Sequence, residues 1–495
     1  MLFNSFDYIV FLVLVFVLFW ALEPSTSPLA RAIAKGDDGR IRGLERTRTG
    51  LLLIASYLFY MSWNSVFLAL IVASTLLDFG VGKAIFKAKG KSQRKLLLVV
   101  SLVANLGLLG LFKYYDFGLV AASQTVGLFG VTWDPPLLHL ILPVGISFYT
   151  FQTLSYTIDI YRGRLEPARN LLEFATYVAF FPQLVAGPIV RASEFLPQFD
   201  RPPRLGALGA QTGIYLIVRG LVKKIVVADF LAVQLIDRVF DNPGVFSSAE
   251  VWVAVYAYSW QLYGDFSGYT DIARGSARLL GFELPENFDR PFNSTGPIEF
   301  WSQWHMTLSR WVQDYIYIPL GGSRGAAART YANLFLSFLI IGVWHGAGWT
   351  FVIFGLWHAF GVTFNRAYRQ WREHRGLDPR PPRGGWKRAV LVFLSVHFFV
   401  VHWPIFRSPD LDTMLEVYAQ MFDNDWASLR IGPWVWAVIV GMGVTHFCPK
   451  SWVLAFETRI ERLPVWAMGI FVLVMGAILM KVAAGQAAPF IYFQF

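Results

Sequence analysis

The sequence predicts an all-α polytopic membrane protein, built as a single integral-membrane domain over residues 1–495. Three observations predict it. The chain is 55% hydrophobic and only 15% charged, with a mean hydropathy of +0.47, whereas a soluble chain of this length needs a far more charged surface. Charge-free runs recur at 8–22, 96–112, 332–364, 389–406 and 465–480. About twenty apolar residues cross the ~30 Å hydrocarbon core. With the shorter runs completed by their flanks, roughly 10–12 membrane segments are expected. Finally, the basic residues behind the net charge of +10 cluster in short loops beside the apolar runs, as the positive-inside rule requires. That placement assigns the charge to topology and argues against a nucleic-acid partner.

The opening "MLFNSFD" has no basic side chain and no small-residue cleavage site, so a removed signal peptide is not expected. Arg31, Lys35, Arg40, Arg42, Arg46 and Arg48 follow the first run; Lys83, Lys87, Lys89, Lys91, Arg94 and Lys95 follow the next pair. The 30 residues at 51–80 between these loops can turn once, at Ser62-Trp63-Asn64. Both basic loops then face the cytoplasm and the N-terminus faces outside. Arg162, Arg164 and Arg169 are expected on the cytoplasmic side, and the "WDPP" loop at 133–136 outside.

Residues 170–330 mix apolar runs with polar and charged groups, which cannot all face lipid. Irregular backbone in hydrocarbon leaves amides unpaired, so such segments must be buried in protein or line a wet cavity. Re-entrant and short interfacial helices are expected here, as part of a functional core over 170–365 flanked by transmembrane helices at 1–169 and 366–495. The stretch 369–388, "RQWREHRGLDPRPPRGGWKR", reads as a cytoplasmic surface loop. The single Cys448 excludes an internal disulfide and a thiolate metal cluster.

The candidate chemistry lies in the histidines. Residues 331–364 hold no Asp, Glu, Lys or Arg, yet contain His345 and His358. As one helix they would extend about 51 Å, beyond a bilayer core. Basic residues flank both ends, so the stretch is either two arms broken near "GAG" or a helix extending past the hydrocarbon. A titratable group in such a segment is a functional candidate by default, which singles out His345. His305 lies in "WSQWHMTLSRW", where positions 301, 304, 308 and 311 share one helical face and His305 sits beside it. There a water-exposed histidine on an interfacial helix is an equal reading.

His358 is 13 residues after His345, but His397 and His402, five apart, do not supply the second pair that a haem would need. His358, His397, His402 and His446 read as structural or cavity-lining; His139 and His374 lie in or near loops. Asp265 and Asp271 are costly groups whose simplest roles are a pair with Arg274 or a helix cap. No HExxH or clustered ligand spacing points to a metal. "GGSRG" at 321–325 lacks the context of a phosphate loop.

Five ordered motifs, "LVAGPIVR", "DFSGYTDIARG", "LLGFELPENFDRPF", "EFWSQWHMTLSRWVQDYIYIPLGG" and "GVWHGAGWTFVIFGLWH", resemble the membrane-bound O-acyltransferases. The likeness is to their bacterial branch of alginate O-acetyltransferases and D-alanyl-lipoteichoic-acid transferases, with "PFIYFQF" at 489–495 resembling the alginate type. The resemblance implies a ring of helices around a thin centre, with a tunnel from a cytoplasmic donor entrance to an external acceptor. It implies that His345 is the family's membrane-embedded histidine and that His305 fills the second motif position, Asn or Asp in many eukaryotic members.

On that footing His345 is the expected general base for a hydroxyl, while His305 polarises the thioester carbonyl or orients the acceptor. An acetyl-histidine intermediate is the rival chemistry. Asp265, Ser267, Trp304, Trp344 and Asp314 are candidate substrate-binding side chains. No bound cofactor or metal is expected. Acetyl-CoA is the expected donor, with Lys223, Lys224, Arg324 and Arg329 as candidates for its anionic nucleotide. The analogy also implies a periplasmic acyltransferase partner, a polysaccharide acceptor and a bacterial inner-membrane location. The alternatives are D-alanyl or other acyl transfer from an acylated carrier protein, a small-molecule transporter, and a scaffold of an export complex.

Overall fold

The computed structural model describes residues 1–495 except 25–26, 186, 202, 204, 383, 424–425, 427, 484–489 and 492–495. Most of the "PFIYFQF" ending therefore lies outside the described residues, which keep only Phe490 and Ile491 of it. Secondary structure is helical throughout the described residues, apart from one antiparallel bridge between Phe288 and Trp304. The chain forms two compact units, residues 1–217 with 271–285, and residues 218–270 with 286–495.

Among the described residues, five segments are long and apolar enough to cross a membrane: Ser65–Lys87, Lys91–Gly127, Ala327–His345, Gly385–Arg407 and Val465–Val482. A sixth arises if Pro433–Phe447 and Lys450–Glu461, bent by 101°, are one broken span. The 10–12 segments expected from sequence include helices that fall short of this: Phe6–Ala21 is apolar but has 16 residues, and Asp38–Met61 and Trp349–His374 carry charged side chains. In the first unit, Asp38–Met61 buries Arg48 against Glu23, with the guanidinium 4.1 Å from the Phe19 ring. In the same unit Asp78 accepts from Ser101 Oγ at 2.6 Å and Asn105 Nδ2 at 2.9 Å, joining two neighbouring helices through a buried polar cluster. The helix that carries Ser101 and Asn105 runs on through Lys113 to Gly127, further than the charge-free run at 96–112 suggests. The turn at Ser62-Trp63-Asn64 forms as expected: Asn64 Oδ1 accepts from the Val66 N–H at 3.0 Å.

The middle region does contain short helices, including Leu171–Ala179, Asp237–Asp241, Pro297–Trp301 and Met306–Val312. It also contains Ser248–Leu279, a 32-residue helix passing straight through "YGDFSGYTDIARGSARLLGF", where broken elements were expected. The glycines there serve packing and not turns. A Cβ on Gly264 would lie 2.9 Å from the Lys223 carbonyl oxygen, and one on Gly268 would lie 2.8 Å from that of Gly220. Small residues four apart let two backbones approach this closely, and neither position can carry a side chain.

Residues 331–364 are two arms and not one helix. Ala327–His345 and Trp349–His374 pack antiparallel around the break Gly346-Ala347-Gly348, and the Tyr331 hydroxyl reaches Gln370 at 2.6 Å at their open end. The second arm continues to His374 through Arg366, Arg369 and Arg372, so the polar loop is shorter than the 369–388 read from composition.

Candidate active site

All the geometry that follows lies within the second unit. The stretch around His305 is not the continuous helix its aromatic spacing suggested. Pro297–Trp301 ends, and a new helix, Met306–Val312, begins with His305 as its N-cap at φ 43°. A non-glycine residue in this left-handed region is uncommon and is held there by its surroundings. The clamp is the segment at 287–289. The Met306 N–H donates to the Asn287 carbonyl at 3.0 Å, and the Asp289 N–H donates to that of Gln303 at 2.9 Å. His305 is fully buried, which overturns the reading of a water-exposed interfacial imidazole. Its Nδ1 lies 3.2 Å from Asn287 Oδ1, and its ring meets Phe266 edge-on at 4.7 Å.

His345 ends the first arm of the hairpin, where Gly346 and Gly348 stop the helix. It too is buried, edge-on to Phe354 at 5.4 Å and to Phe406 at 5.5 Å. The Trp344 ring lies 5.0 Å from His345 and 5.9 Å from His305, so one tryptophan touches both imidazoles.

His345 lines a cavity of about 10 Å³ together with Trp301, Trp304, Phe354, His358 and His402 among others. That volume is about one water's worth. Trp301 Nε1–H donates to His358 Nδ1 at 3.4 Å, so the His358 proton sits on Nε2 and points to His402 Nε2 at 3.3 Å. These two histidines line the cavity, as their sequence reading anticipated, and form a directed hydrogen-bonded pair that it did not. His446 Nε2 accepts from the Phe292 N–H at 3.1 Å, and His397 meets the Tyr256 hydroxyl. No group of three or more potential ligands suited to a metal ion occurs among the described residues.

The remaining candidates separate. Trp304 and Trp344 are buried beside the histidines. Ser267 is buried on the helix Ser248–Leu279, next to the Phe266 that touches His305. Asp314 is half-buried further along the chain from His305, on Gln313–Tyr317, and is not part of the cavity lining. Asp265 is neither a helix cap nor paired with Arg274. It lies mid-helix with Lys224 Nζ at 2.7 Å and accepts the Ile491 N–H at 2.7 Å. Lys224 also reaches Asp229 at 2.6 Å and is 2% exposed, so it is not placed to meet a soluble nucleotide. Lys223 lies 5.5 Å from the Tyr263 ring, whereas Arg324 and Arg329 are exposed. Ser323 fits a G-x-S-x-G spacing but sits on an exposed turn with no preceding strand, unlike a nucleophile elbow. Asn287, Phe354 and Phe406 were not singled out by sequence; Asn287 and Phe354 lie inside two of the quoted motifs, which is the signal that could have drawn notice to them.

The arrangement is two buried imidazoles in an aromatic enclosure, one at a hairpin tip and one at a strained helix start. Such a site can take a proton from a hydroxyl and exclude bulk water. The sequence profile of MBOAT, the membrane-bound O-acyltransferase family, matches residues 167–398. The chain is 37% identical to a protein of Azotobacter vinelandii named "Probable alginate O-acetylase AlgI", over 91% of this chain and 95% of that one. It is 37% identical to a peptidoglycan O-acetyltransferase of Helicobacter pylori, over 76% of this chain and 74% of that one. A teichoic acid D-alanyltransferase of Streptococcus thermophilus is 28% identical over 53% of this chain and 68% of its own.

Proposed function

Since this chain belongs to the membrane-bound O-acyltransferase family and its similarity to O-acetyltransferases makes it an O-acetyltransferase, we propose that it carries acetyl groups from cytoplasmic acetyl-CoA across a bacterial inner membrane to an external hydroxyl. The acceptor belongs to an exopolysaccharide, reached directly or through a periplasmic acyltransferase partner. The N-terminus faces the periplasm, in keeping with the basic loops. The observation that carries the reading is the joint burial of His345 and His305 around Trp344.

His345 takes the acceptor hydroxyl proton as the oxygen attacks the thioester carbonyl. The new C–O bond forms, the C–S bond breaks, and the proton passes to the leaving thiolate. General-base catalysis supplies roughly 10²–10⁴-fold, and alignment of two substrates in a narrow enclosure supplies more.

The test uses purified protein in sealed, orientation-controlled vesicles, with acetyl-labelled coenzyme A outside and an oligosaccharide acceptor inside. Label on the internal acceptor with coenzyme A released outside supports the proposal. Labelled donor accumulating inside intact would replace it with transport. Transfer only from an acylated carrier protein would move the donor assignment to the D-alanyl type.

A further inference from the structure

The helix Met306–Val312 receives no side-chain cap from its own N-cap, His305. Its first amides are met instead by a residue eighteen positions before His305. Asn287 takes the Met306 N–H on its backbone carbonyl at 3.0 Å and the Thr307 N–H on Oδ1 at 3.1 Å. The Thr307 hydroxyl donates to the same Oδ1 at 2.9 Å. A backbone N–H can only donate, so the atom facing it is the amide oxygen, and the orientation of the Asn287 amide is settled. His305 Nδ1 lies 3.2 Å from that oxygen. The oxygen has no proton to give, so Nδ1 must carry one. In a neutral imidazole the lone pair then sits on Nε2.

We infer that Asn287 is a positioning residue that holds His305 as its Nδ1–H tautomer, so that His305 meets the substrate through Nε2 as a hydrogen-bond acceptor. The ring is locked further by the Phe266 edge and by the left-handed backbone at His305. This decides between the two roles open to His305. A neutral ring held this way has no proton on Nε2 to give to a thioester carbonyl. It orients the acceptor instead, by taking a hydrogen bond from an O–H or N–H other than the reacting one, whose proton goes to His345. The substrate part of this inference rests on the proposed acyl transfer; the tautomer does not.

Three ionisable side chains next to its contacts are committed elsewhere. Asp265, beside Phe266, is held by Lys224. Asp289 is held by Lys450 at 2.8 Å, and the Arg290 guanidinium goes to the carbonyls of His446 and Cys448. Glu286 precedes Asn287 in the chain, Arg310 lies on the helix that His305 caps, and His345 lies beyond Trp344.

The direct test is histidine ¹⁵N magnetic resonance of the full chain in lipid bilayers, with the His305 signals assigned by their loss in His305→Asn. Near neutral pH, a protonated Nδ1 and an unprotonated Nε2 are expected; the opposite tautomer overturns the inference. The second arm is Asn287→Asp, which keeps an acceptor at the same place but adds negative charge facing Nδ1–H. That charge favours the imidazolium, so the pH at which the His305 resonances titrate should move up by about 1–3 units. An unchanged His305 titration in a folded Asn287→Asp protein overturns the positioning role. Should that variant not fold, the tautomer of the wild-type protein decides alone. A wild-type protein without acetyl turnover counts against the proposed function and leaves the tautomer measurement intact.

Discussion

Gly342→Ala probes the packing that delivers His345. An alanine Cβ at this position would lie 2.5 Å from the Phe351 carbonyl oxygen and 2.6 Å from the Gly355 Cα, against ordinary contact beginning at 3.4 Å. The shortfalls are 3.4 − 2.5 = 0.9 Å and 3.4 − 2.6 = 0.8 Å, and both obstructing atoms are backbone. No rotamer change can absorb them, so the two arms of the hairpin must part. A gap of this size forfeits about a quarter to a half of the local dispersion attraction, and overpacking of this kind costs about 1–3 kcal/mol. His345 lies three residues further along the displaced arm, and a shift of about 1 Å at a reacting group can cost about 10²-fold in rate. Gly348→Ala is the control: its backbone is extended, at φ −168°, and its nearest neighbours are at 3.7 Å. Thermal unfolding in detergent and acetyl transfer, measured on both variants, separate the cases. Gly342→Ala should lose stability and most activity, and Gly348→Ala should stay within about 0.5 kcal/mol of the wild type. A Gly342→Ala protein that melts and turns over like the wild type would refute the close antiparallel packing.

Three further outcomes are expected. Lys224→Met leaves Asp265 and Asp229 without their shared cation in a buried site, so it should cost about 3–5 kcal/mol; the melting temperature of Lys224→Met with Asp265→Leu should lie above that of the single variant. His305→Asn should retain more activity than His305→Ala, because asparagine tolerates the left-handed backbone and keeps a polar group, whereas alanine loses both. Equal rates would remove the hydrogen-bonding role. His402→Phe leaves His358 Nε2–H without its acceptor in the apolar cavity; a loss of about 1–3 kcal/mol is expected, read as a lower melting temperature.

The parts of this architecture that depend on composition and local punctuation were readable in the sequence. Charge-free runs located the apolar helices, Gly346 and Gly348 marked the break after His345, and Ser62-Trp63-Asn64 marked a turn. The parts that depend on a partner segment were not. The mixed polarity of 170–330 suggested short, broken helices, and the close packing of Gly264 and Gly268 inside one long helix was hidden because the backbone they press against is distant in sequence. Asp265 looked like a cap or a substrate ligand until Lys224, 41 residues earlier, was seen to hold it. The aromatic spacing around His305 suggested a continuous helix because nothing local reveals that the segment at 287–289 clamps it into a left-handed turn. His345 stood out alone, as a titratable group where its neighbours are apolar. His305 gained its place through motif resemblance, and the contact of Asn287 with it was visible only in three dimensions.

The central claim is that His345 is the base for acyl transfer within an aromatic enclosure that does not need it for folding. The most direct measurement is acceptor-dependent release of coenzyme A by His345→Ala and wild-type protein in the same lipid, with unfolding followed on both. The account predicts a loss of at least about 10²-fold in rate at a nearly unchanged melting temperature. A folded His345→Ala protein that releases coenzyme A at the wild-type rate would contradict it.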